Sequence, residues 1–193
     1  MPSAREEIVG KTCELLELQG YHATGLNQIL KESRSPKGSL YYYFPGGKEE
    51  LAVEAVRQAG NIVLERIRSN LASIPDPVTA IRLFILNVAL KVELSGFRAG
   101  GPITTIAMET ASSSEPLREE CHRIYSAWQL AFADKLAEGG VGPERARRLA
   151  VLIIAAMEGG IILCRTGRSR EPLENTAEEI ALLIRLAIAQ PAS

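Results

Sequence analysis

Ten prolines divide this 193-residue chain into segments whose apolar residues recur at helical spacing, and no segment alternates with a period of two. Proline fixes φ and lacks an N–H, so it is tolerated between helices or in a first turn and not inside one. The spacing predicts a helix over Ser3 to Gln19 (Ile8, Cys13, Leu15, Leu16, Leu18) that stops at Gly20. A short helix follows Thr24 over Leu26 to Ser33, another runs from Pro36 to about Phe44, and a longer one spans Lys48 to about Ala72. Asp76 and Pro77 supply a cap and a first turn for a helix with Ile81, Phe84, Ile85, Val88 and Val92 on one side, ending near Gly96. Pro102 opens a short helix to about Ala111. Ser114 with Pro116 starts one striped by Leu117, Cys121, Ile124, Tyr125, Trp128, Ala131 and Phe132. Helices over Pro143 to Arg165 and Leu173 to Gln190 complete the chain. The expected class is all-α, with about nine helices.

The rest of the composition removes function classes. With 46% hydrophobic and 23% charged residues and a net charge of −1, the chain is an ordinary globular one and no global polycation, so any nucleic-acid contact must come from a local patch. Cys13, Cys121 and Cys164 are odd in number and far apart, which fits a reducing cytoplasm. Two histidines and two aspartates give no HExxH and no spaced Cys/His cluster, and no GxSxG elbow exists, so no metal, no cofactor and no catalytic residue is expected. The start, MPSAREEIVG, lacks a signal-peptide pattern. The most apolar stretch, Leu149 to Cys164, is 16 residues long and falls short of the roughly 20 that span a bilayer. A cytoplasmic protein without membrane contact is expected.

Two short helices joined by a tight turn and braced by a preceding helix form a helix-turn-helix, whose second helix presents its first residues to the major groove. That second helix reads Pro36-Lys37-Gly38-Ser39-Leu40-Tyr41-Tyr42-Tyr43-Phe44. Lys37 favours phosphate, Gly38 lets backbone approach closely, and tyrosines offer hydroxyls to phosphates and flat faces to base methyls. Leu40 and Phe44 read as core, and Tyr42 with Tyr43 as the better candidates for DNA. Between Lys31 and Lys48 four basic residues (Lys31, Arg34, Lys37, Lys48) face one acid, Glu32.

Residues 5 to 55 resemble the TetR-type transcriptional regulators. The resemblance rests on Thr24-Gly25-Leu26-Asn27-Gln28-Ile29, then Lys37-Gly38-Ser39-Leu40-Tyr41-Tyr42-Tyr43-Phe44, then Lys48-Glu49-Glu50-Leu51. The turn Ser33-Arg34-Ser35-Pro36 replaces the commoner Ala-Gly-Val-Ser, and Pro45-Gly46-Gly47 is one residue longer than usual. Together these are similar to the LmrA/YxaF-type branch, associated with drug-resistance operons. The resemblance implies a DNA-binding domain over 1–47 and an effector-binding and dimerisation domain over 48–193. Its implied DNA set is Thr24 (also a helix cap), Arg34, Ser35, Pro36, Lys37, Gly38, Ser39, Tyr41, Tyr42, Tyr43 and Lys48. Arg34 reads equally as a solvated charge.

Leu149 to Met157 is an unbroken apolar run, and Ile180 to Ala189 is apolar except for Arg185, so both helices need burial on two sides. A well-buried core helix satisfies that need, and so does a partner. The resemblance implies a four-helix homodimer interface, expected from Leu152, Ala156, Gly159, Gly160, Leu163, Ile180, Leu183, Ile184 and Ala187. It also implies an effector pocket, expected from Phe84, Phe97, Thr105, Met108, Glu109, Tyr125, Trp128, Phe132, Met157 and Glu158. The stripe through Tyr125, Trp128 and Phe132 reads as core or as pocket. A glutamate facing inward, Glu109 or Glu158, favours a cationic ligand. The expected function is a ligand-responsive repressor that binds a palindromic operator on double-stranded DNA as a homodimer and is released by a small, mainly hydrophobic effector. The alternative is a helical carrier or enzyme that keeps the fold without the DNA function.

Overall fold

Helix α1 (Ala4–Ala23) begins where the sequence supplies two reciprocal caps. The Glu6 N–H donates to Ser3 Oγ, and the Ser3 N–H donates to the Glu6 carboxylate at 2.7 Å. The computed structural model describes residues 3–189, and within them the chain forms nine α-helices and no strand. The others are α2 (Leu26–Glu32), α3 (Lys37–Tyr43), α4 (Lys48–Ala72), α5 (Pro77–Leu94), α6 (Thr104–Thr110), α7 (Glu115–Glu138), α8 (Pro143–Gly167) and α9 (Glu171–Ala189). The expected end of the last helix, Gln190, lies outside the described residues.

Two local expectations change. α1 does not stop at Gly20 but continues to Ala23 as two helical pieces joined at a kink, where Gly20 has φ 81° and ψ 179°. Thr24 therefore does not cap α2: its hydroxyl donates back to the Gly20 carbonyl at 2.6 Å, and Gly25 is the N-cap, with no side-chain bond. The kink frees that carbonyl from the helix ladder, and the nearest hydroxyl takes it. Pro36 precedes the first turn of α3 as its N-cap, with ψ 145°.

The chain forms two compact units, Met1–Ile62 with Gly101–Ile124, and Val63–Gly100 with Tyr125–Ser193. The division falls inside α4 and α7. The first unit thus holds the helix-turn-helix together with α6 and the starts of α4 and α7. In it α1 packs against α2, α3 and α6, and Ile8, Leu16, Ile29, Leu40, Phe44 and Leu51 are buried. Each such side chain contributes about 1.5–3 kcal/mol of transfer free energy.

In the second unit α5, α8 and α9 pack pairwise. Asp76 caps α5 as expected, its carboxylate accepting from the Thr79 N–H at 2.8 Å. The apolar stretch expected to be too short for a bilayer belongs to α8, whose 25 residues include an 18-residue window of mean hydropathy 1.9. By length and composition that helix is sufficient to cross a membrane. Its burial is one-sided: Leu149, Ile153, Ile154 and Met157 face the unit's own core, while Val151, Leu152, Ile162 and Leu163 are exposed.

Candidate nucleic-acid interface

The turn between α2 and α3 is closed by backbone bonds: the Ser33 N–H donates to Ile29 O at 2.8 Å and the Ser35 N–H to Leu30 O at 3.1 Å. Ser35 Oγ is turned inward onto Ser33 O. Arg34 occupies the left-handed region, φ 54°, with its side chain exposed. That backbone costs a non-glycine residue about 1 kcal/mol. Leu40 and Phe44 fill the core beneath α3, and the opposite face carries Tyr41 and Tyr42, 50% and 80% exposed. Tyr43 is half-buried and presents a ring edge to Tyr42 at 5.0 Å. Lys37 and Gly38 are exposed and Ser39 half-buried. A Cβ added at Gly38 would meet no atom within 4 Å, so the protein's own packing has no need of glycine there.

Charge separates this face from the rest of the first unit. Arg5, Lys11, Arg57, Arg118 and Arg123 are each paired with a carboxylate. Among the described residues, Lys31, Arg34 and Lys37 make no ion pair and are exposed. Every cation left uncompensated by a carboxylate contact in this unit therefore belongs to the helix-turn-helix or, in the case of Lys48, follows it closely. Unpaired cations beside outward tyrosines form a surface suited to a polyanion that also offers flat apolar groups.

Lys48 opens α4, and its Nζ lies 4.3 Å from the centre of the Tyr21 ring. Burial against that ring pushes its pKa down, partly offset by the negative charge of Glu109. The start of α4 is tied on both sides. The Gly46 N–H donates to Glu50 at 2.7 Å, and Ser114 Oγ donates to Glu49 at 2.6 Å. Glu49 and Glu50 thus hold neighbouring groups as well as complementing the helix dipole.

Comparison with known proteins agrees with this geometry. Residues 8–55 match the family described as bacterial regulatory proteins, tetR family, and residues 77–179 match the transcriptional regulator LmrA/YxaF-like C-terminal domain. The chain belongs to the TetR family, LmrA/YxaF-like branch. It is 47% identical over 182 residues to the HTH-type transcriptional regulator YxaF of Bacillus subtilis (strain 168), covering 94% of this chain and 95% of that one. It is 41% identical to the HTH-type transcriptional regulator LmrA of the same organism, covering 88% and 90%. A TetR transcriptional regulator from Chloroflexus aurantiacus superposes with a TM-score of 0.81 at 31% identity, covering 94% of each chain. The protein is a DNA-binding transcriptional regulator and not an enzyme.

The remaining sequence candidates of this TetR-family regulator divide between the two units. Phe84, Trp128, Phe132 and Met157 are buried in the second, where Phe97, Tyr125 and Glu158 are half-buried. Two edge-on pairs form there, Phe84 with Phe132 at 5.5 Å and Tyr125 with Trp128 at 5.4 Å. Thr105, Met108 and Glu109 belong to the first unit. Met108 is 76% exposed, because α6 buries its other face through Ile106 and Thr110. Glu109 is turned onto α1, where its carboxylate accepts from the His22 N–H at 3.0 Å.

The pairing candidates divide as well. Leu152, Gly159 and Leu163 are exposed, and Ala156 and Leu183 half-buried. Ile180, Ile184 and Ala187 are buried within the protomer, and Gly160 lies under Leu173 of α9, close to its Cδ2. Within the protomer all four serve internal packing: Ile180, Ile184 and Ala187 lie on the inner face of α9, which packs against α5 and α8, and Gly160 of α8 faces α9. Val151, Ile162, Leu182 and Leu186, which the sequence reading did not select, are exposed instead. Sequence reasoning also missed the tie from Glu109 to α1; its only signal was Gly20, which read as a helix stop.

Proposed function

We propose that the protein is a ligand-responsive repressor that binds a palindromic operator as a homodimer and leaves it when a small, mainly hydrophobic effector binds. The observation that carries the DNA contact is the set of unpaired cations, Lys31, Arg34 and Lys37, beside the exposed Tyr41 and Tyr42. Phosphate contacts set register and affinity, and the tyrosine faces with Gly38 read the groove. Residues 1–47 read DNA in this proposal, while 48–193 sense the effector and pair.

The exposed apolar face of α8 and α9 supports pairing, through Val151, Leu152, Ile162, Leu163, Leu182 and Leu186. Two-fold symmetry then matches a palindrome, with recognition helices addressing major grooves about 34–36 Å apart. The aromatic pairs of the second unit, together with Phe97, Met157 and the polar Glu158 of the same unit, support an effector with an apolar, flat body. Release follows from linkage: an effector that prefers the conformer with poorer DNA spacing lowers DNA affinity, and DNA lowers effector affinity equally. The site of action is the cytoplasm, where bacterial regulators meet DNA.

The test is selection of bound duplexes from a randomised pool with the purified protein and no added ligand. The expected result is an enriched palindrome whose affinity falls steeply with salt. Absence of enrichment at moderate salt would overturn the apo-repressor reading and favour a carrier.

A further inference from the structure

The kink in α1 places a carboxylate from a distant helix behind the lysine that opens α4. Gly20 has a left-handed φ of 81°, which favours glycine, and a Cβ on it would meet Glu109 Oε1, so the carboxylate end is packed directly against the kink. The other carboxylate oxygen, Oε2, accepts from the His22 N–H at 3.0 Å. The kink opens the helix ladder at this point, and Glu109 takes the place of the missing carbonyl. Between those two contacts lies Tyr21, whose ring face carries Lys48 Nζ at 4.3 Å. Glu109 also attracts the Lys48 ammonium without forming an ion pair with it.

We infer that Glu109 is a positioning residue for Lys48, fixing the kinked end of α1 so that Tyr21 presents the ring on which the ammonium rests. Glu109 needs no contact with DNA for this role. It sets where one phosphate-binding charge sits, and it makes the orientation of α6 a determinant of operator affinity. The inference rests on the DNA-binding reading proposed above, extended to Lys48 as a further phosphate contact. Thr24 and Gln19 complete the same corner: the Thr24 hydroxyl takes the Gly20 carbonyl, and the Gln19 amide donates to Ala23 O at 3.0 Å and to Gln28 of α2 at 2.9 Å. The kink is thus held from α2 as well as from α6, and Glu109 is the one charged group among these ties.

The experiment is a double-mutant cycle on the selected duplex, using the full chain and Glu109→Gln, Lys48→Met and the double variant. Glu109→Gln leaves only a neutral amide oxygen to accept from the His22 N–H, which weakens the tie that fixes the kink, and its thermal unfolding is measured first to establish that it folds. The expected loss of operator affinity for Glu109→Gln is roughly three- to tenfold with Lys48 present and none in the Lys48→Met background. Losses that multiply independently would overturn the inference. Tighter binding in both backgrounds would do the same, since it would mean that Glu109 merely repels phosphate. A DNA-free readout separates this inference from the operator proposal. In nuclear magnetic resonance spectra, Glu109→Gln should move the Lys48 side-chain methylene signals away from their ring-shielded positions. Unchanged shifts would exclude the positioning role even if the protein binds DNA; failure of the unmodified protein to bind any duplex would instead reject the operator reading.

Discussion

The outer faces of α3 and α8 both expose large side chains, and their chemistry differs. On α3 the exposed groups are Tyr41 and Tyr42, amphipathic rings with hydroxyls, next to the unpaired Arg34 and Lys37. On α8 they are Val151, Leu152, Ile162 and Leu163, which offer neither a hydrogen bond nor a charge. Each face leaves a large side chain in water at a cost that a monomer has no reason to bear. The α3 face suits a partner that is charged and partly aromatic. The α8 face suits one as apolar as itself, and another copy of α8 and α9 meets that condition. Exposure marks both surfaces as unfinished, and the atoms exposed distinguish the two partners.

The largest effect should come from charging the aliphatic face. Leu152→Glu combined with Leu163→Glu would place carboxylates in a desolvated apolar interface, at a cost of about 4 kcal/mol or more, roughly a thousandfold in dimer dissociation. Sedimentation should return a monomer mass for this variant and a dimer mass for the unmodified protein. Ile184→Ala is the contrasting variant. Ile184 is fully buried in its own protomer, so the change should cost about 2–4 kcal/mol of folding stability measured by denaturant. A monomeric unmodified protein would remove α8 from the comparison.

The tyrosine face should give the next largest change. Tyr42→Ala is expected to weaken operator binding by about 1–3 kcal/mol and to leave thermal stability within about 0.5 kcal/mol, because the ring is 80% exposed. Equal operator affinity for Tyr42→Ala would refute the assignment of α3 as the reading surface. A large loss of stability would show that the ring belongs to the fold.

Much of this contrast was legible in the sequence, for identifiable reasons. Helical spacing and proline placement located all nine helices, because both act through local backbone sterics. The inward turn of Leu40 and Phe44 followed from period 3.6 alone, and the positive patch from counting charges. On α9 the period was visible but its phase was not. Almost every residue from Ile180 to Ala189 is apolar, so nothing in composition distinguishes the inner Ile180 and Ile184 from the outer Leu182 and Leu186. Glu109 escaped for a different reason. Its partners lie 87 positions away, and only the packing of α6 on α1 brings them together.

Arg34 sharpens the comparison at smaller amplitude, since its backbone and side chain should pull in opposite directions. Arg34→Gly relieves the left-handed strain and is expected to raise folding stability by about 0.5–1 kcal/mol, while removing one phosphate contact. Operator affinity should then fall several-fold, and the salt slope should shrink by about 0.9. A slope that does not change would return Arg34 to the class of solvated charges.

The smallest expected effect concerns a cluster that is charged and yet belongs to neither outer face. The Glu120 side chain is 8% exposed and is clamped by Arg57 and by Arg123, which are 46% and 49% exposed. Burial alone would raise its pKa, but the two guanidinium groups outweigh burial and hold the carboxyl below its ordinary range. A depressed folded-state pKa gives stability that is complete above the unfolded carboxylate range and is lost as pH falls through the lowered value. Glu120→Gln should therefore cost about 1 kcal/mol near neutral pH, limited to that because both arginines remain half in water. The gap should close in acid, as the unmodified carboxyl takes up its proton. In the unmodified protein Arg57 and Arg123 are paired with Glu120, so neither should contribute to the salt dependence of operator binding. If Arg57→Gln or Arg123→Gln lowers the salt slope as Arg34→Gly does, then pairing within the protein does not decide which cations serve DNA, and the distinction between the reading face and its surroundings fails.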